Sequence, residues 1–296
     1  MAATTDVPSS GSAGGTLTTV PRRRRRSVEG KPRIAVAFTV LFFALLYLPI
    51  IIVVLFSFNS RKSLSYFESF STRWYVQFFN DDGLISSLKA SLFISTITML
   101  GSLTLGVMLA IALERVRSRP ARVVGTVSLI PLVTPEIVTG VAALLFFTGL
   151  GIKLSLGTVI LAEITFSISY VAVIVRGRLA ALSGEYEEAA RDLGCTPFQA
   201  VRLVVIPAIL PALIASGLLI FALTFDDFVL AFFTTGVDPQ PLPVRIYSEI
   251  RLSISPAINA VGTCMMLVSA VLLIVALVVP RLFGSKDSGI DLLSQG

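Results

Sequence analysis

The chain has 296 residues, 54% of them hydrophobic and 14% charged, with a formal net charge of +6. A soluble domain carries about 25% charged residues, so a water-soluble globular class is excluded and a bilayer is the expected solvent. Two cysteines without a CxxC pair, Cys195 and Cys264, and no histidine argue against a disulfide framework, a zinc site and a His-based catalytic triad.

Residues 1–33 are rich in Ser, Thr, Gly, Pro and Arg. Nothing there can bury a core, and a disordered basic tail is expected. Its run Arg22 to Arg26 stands directly before the first apolar block. Such clusters fix membrane orientation, and this reading is preferred to a nucleic-acid contact. The block itself, residues 34–58, carries no charge. It exceeds the apolar core of a cleavable signal, about 7–15 residues, and is expected to span and stay.

Five further spans are predicted, at residues 90–113, 123–151, 154–175, 203–235 and 258–279. Each is near or above the roughly 20 residues that cross a hydrocarbon core. Helices are required because backbone facing lipid must satisfy itself. The third is interrupted by Pro131, Pro135 and Glu136. The expected class is therefore an all-α integral membrane protein with six transmembrane helices. The six-helix domain covers residues 34–282 and a C-terminal tail covers 283–296.

With the N-terminus cytoplasmic, the inside segments hold 17 Lys and Arg and the outside segments hold 7. That distribution follows the positive-inside rule and predicts both termini on the cytoplasmic side. Two outside segments are long. Residues 59–89 contain Phe67, Phe70, Trp74, Tyr75, Phe78 and Phe79. Two readings stand for them: an interfacial aromatic belt, or a short amphipathic helix under a docking partner. In the Pro-rich segment 236–257, residues 246–250 predict a short helix on the outer face.

The loop between the fourth and fifth spans reads as two capped helices. Ser183 is placed to cap the first, with Glu185, Glu187 and Glu188 in its early turns, where carboxylates favour the positive end of the dipole. Gly194 suits the left-handed stop. Thr196, Pro197 and Gln199 form a capping box that restarts the chain. Ala189 and Ala190 leave a small-residue face for close approach by another surface. An ordinary ordered loop is the competing reading.

The apolar blocks hold four acids, Glu136, Glu163, Asp226 and Asp227, and no Lys or Arg. A charge within the membrane costs at least about 2.5–3.5 kcal/mol and marks a pathway or a pair. The compensation is a partner subunit, protons or a cationic substrate. Glu136 lies 14 residues beyond Arg122, about 21 Å at 1.5 Å per residue, after two prolines that free backbone carbonyls. Broken helices at depth line cavities. Glu163 has a competing reading as a packed group hydrogen-bonded to Thr165 or Ser167. Asp226 and Asp227 have one as interfacial caps.

The sequence Glu188-Ala189-Ala190, then Gly194, then an apolar stretch closing at Pro207 resembles the EAA loop of ABC importer permeases. Val204 and Ile206 depart mildly but stay apolar. A wider match over residues 34–282 includes Thr72-Arg73-Trp74-Tyr75, Pro135-Glu136-Ile137-Val138, Asp226-Asp227 and Ser255-Pro256-Ala257-Ile258-Asn259-Ala260. It is similar to the permease subunits of spermidine/putrescine importers. The basic tail is outside that pattern.

The resemblance implies a type I ABC importer permease in a bacterial plasma membrane, forming half of a pore for polyamines. Residues 183–203 would be the coupling loop, with Glu185, Glu188, Ala189, Ala190 and Gly194 meeting the ATPase. Glu136, Asp226, Asp227 and Glu163 would line the pathway. Trp74, Tyr75 and Tyr247 are the candidates for docking a binding protein. No Walker A motif is present, since Gly30-Lys31 is followed by Pro32. ATP and Mg would therefore sit on a partner ATPase present in two copies, with no cofactor in this chain. A second permease and an extracytoplasmic binding protein complete the expected assembly.

Competing readings are an ABC permease for ferric iron, thiamine, an anion or a sugar, a membrane enzyme, and an oligomeric channel. The acidic spans speak against an anion. An Asp-Asp protease needs its aspartates on two spans, whereas Asp226 and Asp227 are adjacent and face about 100° apart on a helix. A channel leaves the capped helix pair unexplained.

Overall fold

The computed structural model describes residues 32–62, 66–116, 118–182, 184–237, 239–252 and 256–284. The basic tail before residue 32, the expected cap Ser183 and the chain after residue 284 lie outside these. Among the described residues there is no strand beyond one isolated antiparallel bridge between Asn59 and Phe70. The chain divides into two units, residues 1–48 and 49–296. Helix α1, Pro32–Ser57, runs through the boundary. Its segment Ala35–Ser57 has a mean hydropathy of 2.9, an uncharged surface suited to hydrocarbon.

In the second unit the helices follow in order. Short α2, Arg73–Phe79, leads into α3, Asp82–Arg115, whose start is capped by Asp81 accepting from the Leu84 N–H at 3.0 Å. Next come α4, Arg119–Val127, α5, Ile130–Val133, and α6, Glu136–Gly149. Helix α7 is Leu156–Ala181 and α8 is Glu185–Asp192. Helix α9, Pro197–Ala200, passes through a π-helical turn, Val201–Val205, into α10, Ile206–Asp226. Then follow α11, Val229–Thr234, α12, Leu242–Leu252, and α13, Pro256–Gly284.

Among the described residues, five helical segments are long and apolar enough to cross a membrane. A sixth span is obtained if α4–α5 and α6 count as one, although they bend by 109° at the break. The break falls at Thr134–Pro135, where Thr134 turns extended with ψ 132°. A residue before proline is driven out of the helical region, so Pro135 sets the vertex. Pro131 does not break the chain, because it sits in the first turn of α5, where a missing N–H costs nothing.

Two expectations need correction. The second loop helix is not a separate short element: residues 197–226 form one continuous helical span. Nothing between Ala200 and Ile206 stops the helix, and the π turn gives the Pro207 ring room against the carbonyl one turn back. Conversely, the predicted fifth span does not run to residue 235. It ends at Asp226 and restarts as α11.

Helix α3 packs along α7 and α10, and α10 along α13. Close approach needs small residues. A Cβ on Gly106 of α3 would lie 2.6 Å from Val171 of α7, and one on Gly140 of α6 would lie 2.8 Å from Phe233 of α11. Buried clusters gather Ala110, Val171, Val175, Ile209 and Ile220 between α3, α7 and α10, and Phe147, Ala162 and Leu230 between α6, α7 and α11.

Candidate functional site

Helices α5, α6, α7, α10 and α13, with the α10–α11 junction, enclose an open cavity of about 1000 Å³. All four acids of the apolar blocks line it. Glu136 is the first residue of α6, at the vertex of the broken pair, where the positive end of the helix dipole favours a carboxylate. Asp227, the residue after α10, lies close to both Glu136 and Glu163. Its Oδ1 accepts the Val229 N–H at 2.7 Å, while Oδ2 is buried. It is thus a cap of the α11 start and a cavity residue together, so its two readings do not exclude each other.

Glu163, in the middle of α7, is 3% exposed. Its Oε2 accepts from the Thr224 hydroxyl of α10 at 3.2 Å, and its carboxyl also meets that of Asp227. This corrects the expected partner. Thr165 donates instead to the Leu161 carbonyl one turn back at 2.7 Å, which leaves it nothing to give Glu163. Asp226 ends α10 and lies beside Ser269 of α13. Two acidic poles result: Glu136, Asp227 and Glu163 at one, Asp226 at the other.

Apolar and soft side chains fill the rest of the wall, among them Phe166, Tyr170, Leu219, Met265 and Met266. Phe166 and Tyr170 pair with ring centroids 5.4 Å apart. Thr224, Ser269 and the two methionines had no signal in the sequence beyond being ordinary residues of apolar spans. Among the described residues, no group of three or more His, Cys, Asp or Glu has the arrangement to hold a metal ion. Acidic poles set in apolar and aromatic walls suit an organic cation with a hydrocarbon body.

The loop carrying Glu188 has the expected stop and capping box, while its first helix begins after Gly184 with no side-chain cap. Gly194 has φ +87°. The Cys195 N–H reaches the Ala190 carbonyl at 3.0 Å and the Gly194 N–H reaches Arg191 at 2.9 Å, which is a Schellman stop. The Gln199 N–H donates to the Thr196 hydroxyl at 3.3 Å, and the Thr196 N–H to Gln199 at 2.8 Å, a reciprocal capping box. Glu188 and Ala189 are exposed, whereas Ala190 is buried. The small-residue face is therefore narrower than expected, because Ala190 points into the protein. Beyond the sequence candidates, Tyr186 (63%), Leu193 (87%) and Phe198 (74%) stand exposed around it.

The three docking candidates fare differently. Trp74 is 1% exposed and donates its indole N–H to the Asn59 carbonyl at 2.6 Å. It is a peg holding the segment before α2, not a contact surface. Tyr75 is half-buried, with its hydroxyl 2.7 Å from the Ser57 hydroxyl. Tyr247 on α12 is half-buried against Phe228, 4.7 Å between centroids, and under the Arg251 guanidinium at 4.5 Å. Tyr66, Phe67, Phe70, Val76 and Phe79 are exposed large side chains in the segment before α3.

Comparison with known proteins gives the class and then its relatives. The chain belongs to the family of binding-protein-dependent transport system inner membrane components, whose model matches residues 102–286. It is a multi-pass permease of an inner membrane. It is 36% identical over 228 residues to the putrescine transport system permease protein PotI of Escherichia coli K12, covering 75% of this chain and 81% of that one. It is also 36% identical over 250 residues to the spermidine/putrescine transport system permease protein PotC of Haemophilus influenzae, covering 83% and 95%. In fold it resembles a chain of a bacterial ABC transporter for alginate, with a TM-score of 0.66 at 16% identity over 84% of this chain and 94% of that one. A chain of the MetNI methionine ABC transporter gives 0.59 at 18% identity over 67% and 94%.

Proposed function

We propose that this permease passes polyamines and forms half of the pore of an ATP-driven importer. The observation that carries the reading is the convergence of four carboxylates from three separate places in the chain on one cavity without a Lys or Arg among its lining residues. A polyvalent organic cation supplies the missing positive charge, and its methylenes match the Phe, Tyr, Leu and Met walls. The names of the relatives point the same way. Glu136, with Asp227 beside it, lowers the barrier to the cation, and Asp226 and Glu163 extend the acidic path.

The Lys and Arg distribution supports a cytoplasmic side for both termini and the Glu188 loop. There α8 rests in a partner ATPase, two copies of which bind ATP and Mg. The cavity is open, so a second permease subunit closes it, and a binding protein delivers cargo on the outer face. Alternating access then follows from movement of α8 on nucleotide binding.

The test is uptake by vesicles holding the whole complex, with labelled spermidine and putrescine, and with glucose and ferric citrate as controls, each with its binding protein. ATP-dependent polyamine uptake is expected. Glu136→Gln should lower it about tenfold, the equivalent of about 1.4 kcal/mol. Wild-type uptake by that variant would remove Glu136 from the pathway. Uptake of another solute with polyamines ignored would keep the permease and discard the cargo.

A further inference from the structure

A second set of charges lies away from the cavity and links three helices. Glu114 and Arg115 close α3. Glu114 Oε2 lies 3.8 Å from Arg176 Nε on α7. Arg115 Nη2 donates to Glu187 Oε2 on α8 at 2.7 Å, and Arg191, one turn further along α8, donates to Glu187 Oε1 at 2.7 Å. Both oxygens of one carboxylate are therefore engaged, one by its own helix and one by α3. The Arg191 contact pre-orients the side chain at helical spacing. The Arg115 contact reaches across 72 residues of sequence.

Helix α8 does not lie flush on the helices behind it. It touches the π turn, but a cavity of about 320 Å³ opens between it and the ends of α3 and α7, with Ile111, Arg115, Leu182, Tyr186 and Val205 among its walls. Glu187 bridges that gap. Exposed ion pairs add little to stability, and these three are partly exposed. What such a contact supplies is position: it sets where α8 stands relative to the end of α3. In turn α3 packs along α7 and α10, the helices that carry Glu163 and Asp226.

We propose that Glu187 is a positioning residue for energy coupling. Held by Arg191, it acts as a strut between α8 and Arg115, so that displacement of α8 passes into α3 as well as along the backbone into α10. This rests on the reading of α8 as the element moved by a partner ATPase. It assigns Glu187 a role distinct from that of Glu188, which faces outward. Without the strut, α8 yields into the space behind it, and hydrolysis proceeds with less transport.

The experiment measures polyamine transported per ATP hydrolysed by the complete complex in vesicles. Glu187→Gln and Arg115→Gln should each lower that ratio about three- to tenfold while hydrolysis continues. The double variant should be no worse than the poorer single one, because both remove one contact. Arg115→Lys should restore most of the ratio. A wild-type ratio in Glu187→Gln, or losses that add in the double variant, would overturn the strut.

If a variant complex loses its ATPase on purification, Arg115→Cys with Glu187→Cys decides, with Cys195 and Cys264 replaced by Ser. Joining the two thiols with a short bifunctional reagent should recover coupling, and no recovery would overturn the proposal. Failure of the unmodified complex to move polyamines would instead count against the cargo. The ratio would then be read with the solute that it does carry.

Discussion

Glu163 shows how a single residue is built into this protein. A carboxylate buried to 3% exposure with one hydroxyl partner depends on that partner. Thr224→Val should cost about 1–3 kcal/mol, the usual penalty of an orphaned buried polar group, and Thr224→Ser should restore most of it. Thermal unfolding of the purified complex checks both. Trp74→Ala should be worse, about 3–5 kcal/mol, since it empties a fully packed aromatic site. The four acids were legible in the sequence because charge stands out in apolar blocks. Their partners were not, because Thr224 is 61 residues from Glu163 and looks like any span hydroxyl. The inward turn of Trp74 and Ala190 was hidden for a related reason. A seven-residue and an eight-residue helix are too short for periodicity to tell their buried face from their exposed one.

At the scale of elements, caps carried most of the information. Gly194 and the Thr196–Gln199 box are local chemistry, and local chemistry is what a sequence displays. The continuation of α9 into α10 was less legible, because it depends on how Pro207 is accommodated, and a π turn leaves no signature of its own. The break at Thr134–Pro135 was foreseeable from the proline, but its 109° bend was not, since packing against α7 and α11 sets the angle. A functional consequence belongs at this scale. Reversing the exposed Glu188 with Glu188→Lys should release the ATPase or leave hydrolysis without uptake. Leu193→Asp should weaken ATPase attachment by placing a charge in the apolar rim. Co-purification of the ATPase and coupled turnover check both, and normal values in Glu188→Lys would remove it from the docking surface.

At the scale of the whole molecule, the helical class and the five unbroken apolar spans were visible from hydropathy, because lipid imposes one rule on every span. Which helices touch was not visible, since in lipid small residues such as Gly106 and Gly140, not greasy stripes, decide contact. Sidedness rests on 17 against 7 basic residues and yields a direct expectation. With Cys195 and Cys264 replaced, a single cysteine at Lys62 should react with a membrane-impermeant thiol reagent added outside intact cells. One at Leu193 should react only after the cells are opened. The opposite pattern would invert the topology.

The bend between α5 and α6 also bears on how the protein is made. Helix α6 has 14 residues, about 21 Å of length against a hydrocarbon core of about 30 Å. As it leaves the ribosome it cannot settle as an independent crossing. Its partner surface, where Phe233 meets Gly140, emerges some 90 residues later. The segment must wait, sheltered by the insertion machinery or by α7, until α11 arrives. The acidic cavity is therefore among the last features to form during biogenesis, so a chain stalled before α11 reaches the membrane without an assembled cation path.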